Sequence, residues 1–120
     1  MSYFTDLTIY SYSRCVPEEA VLNVGWLGDG HTFPTGNVSD EFVTVLKALC
    51  LRPVMLHRGL HSCEFCHNAF GNGQIRVLHP NGNWYAAPEM IHHYVVEHHY
   101  FPPQEFIDAV LNGVAVAIEL

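Results

Sequence analysis

Two cysteines and four histidines stand in a pattern suited to metal chemistry: Cys63 and Cys66 in HSCEFC, then His92, His93, His98 and His99 in MIHHYVVEHHYFPP. A C-x2-C turn points two thiolates at one tetrahedral ion, and two imidazoles returning on a later helix would complete a Cys2His2 set. His93 and His98 form H-x4-H, within the spacing such sites use, and are the first choice beside Cys63 and Cys66. Five residues at about 100° each place that pair about 140° apart on an ideal helix, and His92 with His98 about 120° apart. A straight helix brings neither pair to one ion, so a tightened or widened last turn ahead of Pro102 is needed. His92, His61, His67 and His57 stay open as rival ligands.

Other chemistries are weaker. A redox C-x2-C requires its first cysteine to start a helix after a strand, and HNAFGNG is a poor helix. Buried thiols with solvated histidines are the plain alternative. Four protein ligands close a coordination sphere, which makes the expected zinc structural: catalytic zinc keeps an open position.

The elements that must position these residues are legible in part. The chain has 120 residues, 49% hydrophobic and 14% charged, which fits one α+β domain, 1–120, with a single core. Residues 3–12 and 20–27 read as strands, and 28–38 as a loop broken by glycine and proline. Ser39 offers an N-cap to a helix over DEFVTVLKALCLR, with Phe42, Val45, Leu46 and Leu49 on one face. Residues 53–66 read as extended up to the cysteines. QIRVLHPNGNWYAA folds back as a hairpin at Asn81-Gly82. Pro88 suits the first turn of the histidine helix, which should run toward Pro102. A last helix should stop near Asn112-Gly113, with the apolar tail VAVAIEL packing as a strand or arm. The order of cysteine knuckle, hairpin and helix is that of a treble clef.

YFTDLT, VLNVGWL, HTFPTG, RGLHSCEFC, GNGQIRV and WYAAPEMIHHYVVEHHYFPPQEFIDAV together resemble an uncharacterised family of small bacterial proteins, many from actinobacteria and proteobacteria, over nearly the whole chain. The resemblance implies the two cysteines of CEFC and the histidines of H-Y-x3-H-x-Y-x-P-P, here His93 and His98, as the shared set. His92 and His99 fall outside it. It also implies the HTFPTG loop with His31 and the Arg58-Gly59 pair, and it brings no activity. One departure from a usual treble-clef knuckle is His67, where glycine would follow the second cysteine and allow a positive φ.

Charge narrows the function. The net charge is −7 with only five Lys and Arg, so the basic stripe that tracks phosphates is missing and nucleic-acid binding is disfavoured. The amino terminus shows no export signal and no run spans a bilayer, which suggests a cytoplasmic chain without a membrane partner, its cysteines unbridged. The leading expectation is a zinc-stabilised module that meets another protein, with an acidic surface facing a basic one. The alternative is a metal-dependent hydrolase or nuclease in which His31, His57, His61 and His79 supply a second site or a base. Nucleic-acid binding, and metal sensing or storage using the nine histidines, rank behind. His31 reads first as a solvated loop residue, Arg58 as a local partner of carboxylates or carbonyls, Tyr94 and Tyr100 as packing, and Trp26 and Trp84 as core anchors whose indole N–H groups need acceptors.

Overall fold

The computed structural model describes residues 3–9, 21–54 and 60–115. Its elements are β1 (Val21–Asn23), α1 (Asp40–Cys50), β2 (His61–Ser62), β3 (Phe70–Gly71), β4 (Gln74–Leu78), β5 (Trp84–Pro88), α2 (Ile91–His98), α3 (Gln104–Asn112) and β6 (Val114–Ala115). The fold is α+β. A mixed sheet runs β1-β5-β4-β6, with β1 parallel to β5 and the other pairs antiparallel; β2 and β3 form a separate antiparallel ribbon.

The hairpin β4-β5 forms where Asn81-Gly82 places it, with Gly82 at φ 100° and the His79 amide donating to the Asn83 carbonyl. Alternation sends Ile75, Val77, Tyr85 and Ala87 into the main core, against Phe42 and Leu46 of α1, Ile91, Tyr94 and Val95 of α2, and Phe106 and Val110 of α3. Phe106 meets Phe42 and Tyr85 edge to face. The opposite sheet face packs Val21, Trp26 and Ala86, and the Trp26 indole N–H donates to the Ala86 carbonyl. Thus β4 is buried on both faces.

Helix α1 begins as expected: the Ser39 hydroxyl accepts the Phe42 amide, and Asp40 and Glu41 occupy its positive end. Four expectations change. In the stretch expected as a strand over 3–12, residues 3–9 hold only an isolated bridge, Ile9 to Leu22. A turn at Asp6 and Leu7 breaks it, with Leu7 at φ 67° and the Thr8 amide donating to Thr5; residues 10–12 lie outside the description. Of the strand expected over 20–27, residue 20 lies outside the described residues, and within 21–27 the strand is confined to β1, since Gly25 at φ 78° turns the chain. Pro88 closes β5 opposite Gln74, a strand end where a missing N–H is tolerated, and α2 starts at Ile91. Helix α2 stops at His98, before the proline-restricted residue, because residues 99–101 pair with the HTFPTG loop: the Gly36 amide donates to His99 and the Phe101 amide to Pro34. The last helix stops at Asn112 and the tail starts as strand β6, as expected up to residue 115.

Gly113 joins α3 to β6 where backbones nearly touch. A Cβ there would lie 2.0 Å from the Leu78 carbonyl oxygen and 2.5 Å from that of Ala109. Gly113→Ala should therefore cost about 2 kcal/mol, in the range for overpacked sites, read as a lower urea midpoint with an unchanged slope. An unchanged midpoint would contradict this packing.

Candidate metal centre

The cysteine turn sits between β2 and β3. The Cys63 amide donates to the Ala69 carbonyl and the His67 amide to the Cys63 carbonyl, which closes the loop over Glu64, Phe65 and Cys66. His67 takes φ 59°, so the left-handed position that usually calls for glycine is filled by an exposed histidine and the knuckle still closes. Phe65, at its tip, packs against Phe33, Tyr94 and His98 with centroids 5.5, 6.0 and 5.3 Å away. This aromatic cluster seats the knuckle on α2.

On α2, His93 lies in the first turn and His98 is the last helical residue. The helix widens as it ends: the amides of His99 and Tyr100 both donate to the Tyr94 carbonyl, five and six residues back, and His99 turns left-handed at φ 58°. In a turn closed over five residues, side chains five apart approach one another as those four apart do in an ordinary α-helix. The two Nε2 atoms come within 3.2 Å, with ring centroids 5.0 Å apart.

The structure brings the four expected residues together. Cys63 Sγ lies 3.4 Å from His98 Nε2 and Cys66 Sγ lies 3.3 Å from His93 Nε2. The ligand atoms of Cys63, Cys66, His93 and His98 all fall within 4.8 Å of one another, close enough to bind one metal ion. Cys63 is buried and the other three are half-buried. Burial pushes the Cys63 thiol above its ordinary value, while the amides of Cys66 and Phe65 pull it back toward the thiolate. The Asn68 amide donates to Cys66 Sγ. Burial, then the neighbouring His98, lowers the pKa of His93, which favours the neutral imidazole that ligates metals.

The rival histidines stand elsewhere. His92 lies on α2 near Lys47 of α1; burial and that positive charge lower its pKa. Its backbone amide bonds Cys50, whose thiol burial pushes up to about 12. His61 pairs with Gly71 in the ribbon. His79 Nδ1 accepts the Asn81 amide in the hairpin turn. His31 stacks on Tyr3 at 3.7 Å with planes 5° apart, a contact the loop reading did not foresee. His57, Arg58 and Cys15 lie outside the described residues. Among the described residues no other group of three or more His, Cys, Asp and Glu is gathered closely enough to hold a metal.

Sequence reasoning missed two supports. Phe65 carried a faint signal, a bulky aromatic inside C-E-F-C. Asp6 carried none: Oδ2 accepts the Tyr100 hydroxyl at 2.7 Å and Oδ1 accepts the Gly25 amide at 3.0 Å, across 94 and 19 residues of chain.

The chain belongs to the family described as Domain of unknown function (DUF7919), whose family model matches residues 2–111. No curated protein and no solved structure matches it. Among the described residues, no helix is long and apolar enough to cross a membrane.

Two outcomes follow from this geometry. His67→Gly should leave metal stoichiometry unchanged and stability unchanged or raised by up to about 1 kcal/mol, whereas His67→Val should cost about 1–2 kcal/mol in urea unfolding, since a β-branched residue resists positive φ. Loss of metal in His67→Gly would instead make His67 a ligand. For His92, a depressed folded-state pKa means the unfolded chain binds its proton more tightly. Its stabilising contribution is complete above about pH 6.5 and is lost as pH falls through the lowered value. His92→Gln should therefore show a smaller drop in unfolding midpoint between pH 7 and 5 than the parent; equal drops would contradict the assignment.

Proposed function

We propose that Cys63, Cys66, His93 and His98 hold one structural zinc ion in a treble-clef-like arrangement, and that the chain is a non-enzymatic, cytoplasmic module that docks a basic protein partner. The observation that carries the zinc reading is the set of donor distances. Zinc bonds of about 2.3 Å to sulfur and about 2.05 Å to nitrogen, at tetrahedral angles, put two nitrogens about 3.3 Å apart and sulfur about 3.6 Å from nitrogen. The nitrogens here are 3.2 Å apart and the two sulfur to nitrogen contacts are 3.4 and 3.3 Å. Two soft thiolates with two imidazoles suit zinc over magnesium or calcium, which prefer oxygen. The order of β2-β3 knuckle, β4-β5 hairpin and α2 supports the treble-clef comparison.

With four protein donors the ion would have no position for an activated water, so its contribution would be to folding. It would pin the knuckle to α2. Free thiols at Cys50, Cys63 and Cys66 suit a reducing compartment. Support for a basic partner comes from the net charge of −7. The hydrolase or nuclease reading gains nothing from His31 and His79, whose contacts are with Tyr3 and the hairpin turn.

Protein purified without added metal or a histidine tag should contain one zinc per chain by elemental analysis. Cys63→Ser and His98→Ala should each lose zinc together with cooperative thermal unfolding. A partner captured from extracts of the source cells should be basic and should be released as salt rises from 0.1 to about 1 M, where the Debye length shrinks from about 10 to about 3 Å. Variants that lose the metal but keep the fold, or zinc-dependent cleavage of a phosphodiester by the purified chain, would favour the catalytic alternative.

A further inference from the structure

The HTFPTG loop contributes no residue to the Cys63, Cys66, His93 and His98 cluster, and it builds one wall of a cleft of about 210 Å³. Thr32, Phe33 and Pro34 come from that loop, Leu27 from the turn after β1, and Tyr3 and Asp6 from the amino-terminal segment. The Tyr3–His31 stack ties the two walls together. Phe33 lines the cleft and also packs on Phe65, so the cleft neighbours the metal centre without sharing its ligands.

The chemistry of this cleft is set by Asp6. Its two oxygens accept one neutral donor each, the Gly25 amide and the Tyr100 hydroxyl, and each can accept another. The basic side chains among the described residues belong elsewhere: Lys47 on α1, Arg52 just beyond it, and Arg76 in β4. None of them lines the cleft. A carboxylate in a mostly apolar cleft gains most from a cation, through a charge-assisted hydrogen bond and the neighbouring aromatic rings. An anion would meet both Asp6 and the negative net charge. Drug-sized ligands use clefts of about 300 Å³ or more, so the occupant must be small.

We infer that the cleft between the amino-terminal segment and the HTFPTG loop binds a small primary ammonium compound, its ammonium on Asp6 and its apolar body against Leu27, Phe33 and Pro34. Three probes of similar shape test this by amide chemical-shift titration of the full chain: 2-phenylethylammonium, neutral 2-phenylethanol and anionic phenylacetate. The ammonium should shift the Asp6 and Thr32 amides saturably. The alcohol should bind about tenfold more weakly or worse, since a bond between charged groups is replaced by a neutral one, and phenylacetate should not bind. Asp6→Asn should lose about the same factor. Because that variant also alters the bonds to Gly25 and Tyr100, Thr32→Arg serves as a second: Thr32 is exposed, and a guanidinium there should abolish ammonium binding in a folded chain. Absence of saturable binding, equal binding of ammonium and alcohol, or undiminished binding to folded Thr32→Arg would each overturn the inference.

Discussion

The described fold turns on one constraint, the approach of two imidazole nitrogens to 3.2 Å from positions five apart on a single helix. Regular α-helical geometry sets such side chains on different faces. The chain meets the constraint by widening the end of α2 over the Tyr94 carbonyl and turning His99 left-handed. Neighbouring contacts hold that ending in place. The HTFPTG loop pairs with residues 99–101, Asp6 takes the Tyr100 hydroxyl, and Phe65 packs on Tyr94 and His98. A left-handed histidine costs about 1–2 kcal/mol, so these contacts must offset it.

The same geometry explains why the knuckle tolerates a histidine where glycine is usual. His67 at φ 59° keeps its side chain exposed, and the bond from its amide to the Cys63 carbonyl is made regardless. Among the described residues two histidines are left-handed, one just past Cys66 and one just past His98. Both follow a member of the four-residue cluster.

Local signals in the sequence were readable and long-range ones were not. Ser39 capped α1 and Asn81-Gly82 turned the hairpin because each works within three or four residues. The cysteine and histidine spacings identified the four residues that converge, though helix periodicity alone could not choose His93 over His92. The end of α2 was misplaced because its backbone pairs with a loop more than 60 residues earlier, which leaves no trace near Pro102. The amino-terminal strand was misread for a related reason: Asp6 bonds Gly25 and Tyr100, so a segment with strand composition turns at that carboxylate.

The most direct test of the central claim is X-ray absorption fine structure at the zinc edge of the protein as purified. A closed centre built from these four residues gives two sulfur neighbours at about 2.3 Å and two imidazole nitrogens at about 2.0–2.1 Å, with no further oxygen. A shell of nitrogen and oxygen without sulfur, or three protein donors with a water, would contradict a closed centre built from Cys63, Cys66, His93 and His98.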